Sequence, residues 1–329
     1  MAPSRIEPDQ SSDDVHIPTK KPTMYLLETF PEDAIRHCQT LFHTILPTDA
    51  EVHNWRDNAD AILVREKTIS ASDIASARRL KAIGKQGTGI DIIDKPACDA
   101  RGIRICNTPG VNAQSVAELV LALTMGVARQ LRSISVRQEN GIEVRKEHCS
   151  GSMLTGTTIG VIGMGAIGSA VARMFQGAFG CAVMAYDPFA PVGAWSDIRH
   201  TRVSRFEDML PVVDMLTLHV PLNEATRGMI GVKELAAMKE SAILINVARG
   251  GIVDEMALLG ALERRELWGA GLDCHEEEPP TLERYGALWK TGRVISTPHV
   301  GATTRETVVK TATAAMDNVH RFLREESGH

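Results

Sequence analysis

Three glycines in the spacing G-x-G-x-x-G, Gly163, Gly165 and Gly168, are followed by a single acid, Asp187. A β-branched run, Thr158–Ile162, leads into the turn, and a helix-like run, Ala166–Gln176, leads out of it. Asp187 closes a second apolar run, Cys181–Tyr186. Strand, glycine turn, helix, strand and acid, in that order, make a mononucleotide-binding unit. Gly163 permits the tight turn, Gly165 lets backbone approach a pyrophosphate, and Gly168 lets helix pack on strand. Ala166 and Ile167 open the helix, whose unpaired N–H groups and partial positive charge suit phosphates. Asp187 accepts hydrogen bonds from a ribose diol and repels a 2′-phosphate. At about 4 Å and an effective dielectric near 20 that repulsion costs roughly 4 kcal/mol. This is about three orders of magnitude in favour of NAD over NADP.

Further polar residues stand directly after strand-like runs, where ligands of open parallel sheets bind. They are His219, Arg249, Asp273 and His299, with an acidic cluster Glu276-Glu277-Glu278 just beyond Asp273. A lone histidine or arginine is usually structural or solvated. Several at the strand ends of one sheet, beside a cofactor turn, read as a site.

The elements that must position them alternate. Met24–Leu27, Ala61–Val64, Lys81–Gly84 and Ile103–Cys106 read as strands, with helical stretches such as Glu32–Phe42 and Ser72–Leu80 between them. Asn112–Arg137 reads as one long helix, apolar on nearly every face, so it must be buried on several sides. A second series follows: Thr158–Ile162, Cys181–Tyr186, Met215–Val220, Ala242–Val247, Trp268–Leu272 and Arg293–Thr297. Six strands suit a full doubly wound dinucleotide fold. One last helix, Thr304–Arg324, is free to return to the first domain. The fold class expected is α/β with two parallel sheets.

The chain resembles the D-isomer-specific 2-hydroxyacid dehydrogenases from about Met24 to Leu323. The resemblance rests on Gly87-Thr88-Gly89-Ile90-Asp91, Ser115-Val116-Ala117-Glu118, the glycine turn and Leu218-His219-Val220-Pro221-Leu222. It continues through Asn246–Asp254, Gly271–Pro279 and Thr297-Pro298-His299-Val300-Gly301. The resemblance implies a Rossmann NAD-binding domain, 111–301, inserted into a flavodoxin-like substrate domain, 23–110 plus 302–329. It implies interconversion of a 2-oxo acid and its D-2-hydroxy acid. The family's catalytic Arg, Glu and His fall on Arg249, Glu278 and His299. Glu278 is chosen among its acidic neighbours because it precedes Pro279.

In that scheme His299 donates the proton to the carbonyl oxygen, Glu278 raises its pKa, and Arg249 grips the substrate carboxylate. Gln86, Gly87 and Thr88 would offer backbone N–H groups to the same carboxylate, and Arg65 matches a position that binds substrate phosphate in phosphoglycerate-acting members. His219 is the rival acid, but the resemblance sets it in the cofactor cleft. Val220, Pro221, Thr226, Val247, Ala248 and Asp273 would line the cofactor with Arg249 and His299, Asp273 on the nicotinamide side. The resemblance makes the long helix a homodimer contact. It also admits another class, an NAD(H)-sensing corepressor-like regulator on the same fold. The linker Asn140–Leu154 departs from the family in lacking its usual Trp.

Composition sets the bounds. A chain of 329 residues, 43% hydrophobic and with a formal net charge of −5, has room for two soluble domains. Its basic residues are scattered, so no nucleic-acid or membrane partner is expected. No apolar run reaches the roughly 18 residues that span a bilayer. Residues 1–22, rich in Pro, Ser and Asp, read as a disordered tail. Six cysteines without a C-x-x-C pair read as thiols in a reducing, cytoplasmic setting, with no metal site.

Overall fold

The structure is a computed structural model that describes residues 21–326. The tail expected over 1–22 lies outside the described residues up to position 20, as do 327–329.

Two sheets organise the chain, and every strand pair in both is parallel. The first holds β1 (Thr23–Leu26), β2 (His43–Ile45), β3 (Ala61–Val64), β4 (Ala82–Lys85) and β5 (Arg104–Cys106). Its order, β2-β1-β3-β4-β5, is that of flavodoxin-like sheets. The second holds β6 (Thr158–Ile162), β7 (Ala182–Tyr186), β8 (Thr201–Arg202), β9 (Met215–Leu218), β10 (Ile243–Asn246), β11 (Gly269–Leu272) and β12 (Val294–Ser296). Its order, β12-β11-β10-β9-β6-β7-β8, reverses between β6 and β9, the switch point where such sheets open a ligand crevice. β3, β9 and β10 are buried at every position, as strands covered by helices on both faces must be. The expected α/β class with two parallel sheets is what forms.

Two strands escaped the sequence pattern. β2 has three residues, and β8 has two polar, exposed ones, too short to show a period. The second sheet therefore has seven strands rather than six. The continuous helix expected over Asn112–Arg137 also divides. Ala113–Ala128 and Leu131–Glu139 meet at 62°, because Gln130 adopts a left-handed φ of 54°. The first arm is buried on several sides within the chain. It packs on the Ala166–Phe179 helix and on β10, β11 and β12. The second arm has no buried residue. No single helix among the described residues is long and apolar enough to cross a membrane.

The last helix, Arg305–Glu326, returns to the first sheet. Ala312, Ala315, Met316 and Val319 pack against Met24, Leu26, Leu63 and Ala82. Gln86, at the end of β4, donates through Nε2 to Val308 O and Thr311 Oγ1 of that helix, both at 3.0 Å. Met316 is fully buried there. Met316→Ala should therefore cost about 2–5 kcal/mol of stability. Urea denaturation reads this directly, and a change near zero would mean that the helix is not docked.

Candidate functional site

β6 ends in the glycine turn. Gly163 has φ 100°, and a Cβ there would collide with the His219 carbonyl, which follows β9. A Cβ on Gly168 would collide with the Gly163 carbonyl, so the helix sits directly on the strand end. Around Gly165 there is open space instead, and no side chain caps the Ala166–Phe179 helix. Bare N–H groups facing a cradle that a side chain would fill are what a pyrophosphate needs. Ala166 and Ile167 form the first helical positions there. Asp187 stands after β7. Its Oδ2 accepts from Met164 N at 2.9 Å and its Oδ1 from Phe189 N at 2.9 Å and Ala190 N at 3.2 Å. The acid thus ties the glycine turn to the next loop.

His219 lies over the same turn. Its Nε2 meets Thr217 Oγ1 at 3.0 Å, and its Nδ1 is buried without a partner. Burial pushes the imidazole down to about 3, so it is neutral and poorly suited to donate a proton. Val220 packs above Gly163. Thr226 Oγ1 donates to Pro221 O at 2.6 Å and shapes the loop between them. Val247 and Ala248, just past β10, are buried.

The candidate acid–base centre lies past β11 and β12. His299 Nδ1 is 3.0 Å from Glu278 Oε2. One ligand atom each of Cys274, Glu278 and His299 lies within 4.8 Å of the others. Contacts with Cys274 and then Glu278 push His299 up to about 10. Burial raises the Cys274 thiol, which stays neutral, so Glu278 supplies the charge that favours imidazolium. Burial pushes Glu278 up, but bonds from His299 and the His275 amide outweigh it and hold the carboxyl below its ordinary value.

Asp273, 1% exposed, holds this loop in place. Its carboxylate accepts from Thr297 Oγ1 at 2.7 Å, Val300 N at 2.8 Å and Gly301 N at 2.8 Å. His299 between them has a left-handed φ of 58°, a strain of roughly 1–3 kcal/mol that those bonds offset. Most of the hydrogen-bonding capacity of Asp273, the residue expected on the nicotinamide side of a cofactor, goes to the loop.

Arg249 follows β10 in a turn braced by Asn246, whose Oδ1 accepts from Ala248 N and whose Nδ2 donates to Arg249 O. Its Nη1 donates to Ala248 O at 2.6 Å, the carbonyl that Cys274 Sγ also meets at 3.4 Å. One carbonyl and one thiol therefore connect the guanidinium to His299. Nε and Nη2 of Arg249 reach the first domain, at 3.2 and 3.1 Å from Asp91 Oδ2. A Cβ on Gly89 would strike the guanidinium, so the Gly87–Asp91 loop and Arg249 share one cleft. Lys85 faces it too, pushed down to about 8 by burial and then by Arg249.

The amide donors expected from Gln86 and Gly87 are committed elsewhere. Gln86 N bonds Val64 O, continuing the sheet ladder, and Gly87 N bonds Thr108 Oγ1. Thr88 keeps its place at the cleft, with its hydroxyl 3.3 Å from Asn112 Oδ1. Arg65 is half-buried after β3 and pairs with Glu66 at 3.2 Å. Cys274, Asn246, Asp91 and Lys85 were not singled out from sequence. Asp91, Asn246 and Cys274 each carried a signal, as members of segments on which the family resemblance rests.

The profile described as "D-isomer specific 2-hydroxyacid dehydrogenase, NAD binding domain" matches residues 121–301. The chain belongs to that family. It is 37% identical over 270 residues to a D-3-phosphoglycerate dehydrogenase of Methanocaldococcus jannaschii, covering 82% of this chain and 51% of that protein. The chain thus spans about half the length of the phosphoglycerate dehydrogenases it matches. It is 37% identical to the hydroxypyruvate reductase of Thermotoga maritima, covering 80% of this chain and 85% of that one. The solved glyoxylate reductase of Paecilomyes thermophila superposes with a TM-score of 0.81 at 27% identity, covering 94% of this chain and 97% of that chain. NAD is the dinucleotide of this family, and the open cradle at Gly165 fits it.

Gly168→Ala forces helix and strand apart at the phosphate cradle. A misfit of this kind costs about 1–3 kcal/mol, about tenfold or more in affinity. NADH fluorescence titration should show at least that weakening; unchanged binding would remove the turn from the cofactor site.

Proposed function

We propose that the chain is an NAD-dependent oxidoreductase that interconverts a 2-oxo acid and its D-2-hydroxy acid. The observation that carries this reading is the connection of Arg249 to the Glu278–His299 pair through Ala248 O and Cys274, in the crevice beside the glycine turn. The relatives named above are dehydrogenases and reductases, which favours an enzyme over the corepressor-like regulator.

When bound, the dinucleotide supplies the hydride. Gly163, Gly165, Ala166, Ile167 and Gly168 hold its phosphates and Asp187 its ribose. His219, Val220, Pro221, Thr226, Val247, Ala248 and Asp273 wall the rest of the cleft. Arg249 binds the substrate carboxylate, aided by the Thr88 backbone, and fixes the carbonyl beneath His299. The imidazolium polarises the carbonyl oxygen and passes it a proton. Glu278 keeps that proton available at neutral pH. Arg65 and Lys85 add positive charge toward the far end of the substrate. The cofactor domain spans 111–301, and 23–110 with 302–329 forms the substrate domain. Six free thiols accord with a reducing, cytoplasmic setting.

NADH absorbance with a panel of 2-oxo acids tests the reading. His299→Ala should cut kcat by about 10²–10⁴-fold. Arg249→Ala loses charge-assisted bonds of about 1.5–3 kcal/mol each, and falls mostly in kcat/KM. Normal turnover by either variant would end the assignment.

The pH profile is a separate test. Reduction requires imidazolium, which is present below the His299 pKa and lost as pH rises through it. The wild-type rate should hold through neutral pH and fall near 10. Glu278→Gln removes the charge that raises this value, so the alkaline limb should move down by about 1–3 pH units. A limb that stays put would exclude Glu278 as the tuning group.

A homodimer belongs to the same proposal. Leu131 is 53% exposed, Ile142 51% and Met153 78%, all around the second helical arm. Light scattering should give the mass of two chains, and Leu131→Glu should halve it.

A further inference from the structure

A second cavity lies at the opposite edge of the second sheet from the crevice. It sits at the amino ends of β11 and β12, beneath the break at Gln130, and its volume is about 210 Å3. Three arginines from distant parts of the chain line it: Arg132, Arg265 and Arg293. Gln130, Ser133 and Thr291 add polar side chains, and no carboxylate lines the cavity.

The three guanidiniums have one feature in common, and two further features hold for pairs of them. None forms an ion pair among the described residues. The adjacent Arg264, by contrast, is paired with Glu266 at 2.8 Å. Two are anchored on backbone, Arg132 Nη1 on Trp289 O at 3.3 Å and Arg293 Nη1 on Trp268 O at 2.9 Å. Each of those forks keeps further N–H donors. They are also crowded. Burial and then the charge of Arg265 hold Arg293 below its ordinary value, and no acid offsets them.

Arg265 carries a further sign. Its backbone has φ 61°, a conformation that favours glycine. A long cation is kept at a position where it strains the chain. Like charges gathered at one cavity, two of them fixed in orientation and none given a counter-charge among the described residues, make a partly preorganised anion receptor.

We propose that this cavity is a binding site for a small polyanion of the phosphate class, separate from the cofactor crevice. A cavity of roughly 150 Å3 takes a six-carbon ring, so one of about 210 Å3 admits a diphosphate-sized group. Planar guanidinium forks suit its paired oxygens.

The test uses the full chain saturated with NADH, which occupies the phosphate cradle of the glycine turn. Inorganic pyrophosphate is titrated by calorimetry. Wild type should bind one equivalent per chain. Arg132→Gln and Arg293→Gln should each weaken that binding at least tenfold, with NADH affinity unchanged. Arg265→Gly supplies a variant that removes charge and relieves the backbone together. It should melt at the wild-type temperature or above, yet bind pyrophosphate at least tenfold more weakly. A structural role for Arg265 predicts a lower melting temperature instead. No binding by wild type, or full binding by the Arg132→Gln/Arg293→Gln double variant, would overturn the proposal. So would a double variant that dissociates to single chains while wild type ignores pyrophosphate. That result would assign the arginines to carboxylates of a second copy. None of these outcomes bears on 2-oxo-acid turnover, which is read separately.

Discussion

One buried carboxylate sets the shape of the candidate catalytic end of this molecule. Asp273 projects from the end of β11 and accepts three hydrogen bonds from the segment after β12. Its backbone joins in, with Asp273 O accepting from His299 N at 2.8 Å. A carboxylate removed from water is costly unless its oxygens are satisfied. Here the donors come from the loop that carries the candidate acid. Satisfying Asp273 and positioning His299 are the same event, and the left-handed backbone of His299 is its local cost.

The same region joins the two sheets. Ser115 Oγ, at the start of the Ala113–Ala128 helix, donates to Gly301 O at 2.6 Å. Gly301 in turn is held by Asp273. Arg249 reaches from the second sheet to Asp91 beside the first, and Gln86 ties the first sheet to the returning helix. The helix that begins at this junction runs for 16 residues, roughly 24 Å at 1.5 Å per residue. Its last turn puts Gly126 and Val127 on the wall of the arginine cavity. A single rigid element thus touches both polar sites.

Much of this was legible from sequence because it is encoded locally. Glycine spacing, β-branched runs and an acid after a strand all lie within one supersecondary unit, so the cofactor turn and most strands could be read. Two sheets of the expected class formed, with a seventh strand where six were expected. What escaped was short or non-local. β2 and β8 have too few residues to show alternation. The left-handed Gln130 is one residue inside a run that otherwise looks helical. Cys274 reads only as one of six thiols until folding sets it between Ala248 O and His299. Asn246 reads as the end of a strand until its amide is found bracing the next turn. Arg132, Arg265 and Arg293 stand far apart in the chain, and only the fold gathers them.

The contact between Arg249 and Asp91 has a thermodynamic consequence. The guanidinium is never bare, since an internal acid already occupies part of its fork. Under the proposed function, an incoming acid would exchange one ion pair for another, much of the desolvation of the arginine having been met when the chain folded. Net affinity at this point is then a difference between two carboxylates rather than the full attraction of one. Simple inorganic anions gain little from such an exchange. Under the proposed function, a guest that also offers a carbonyl oxygen to the imidazolium would tip the balance, and selectivity would come from engaging both groups at once.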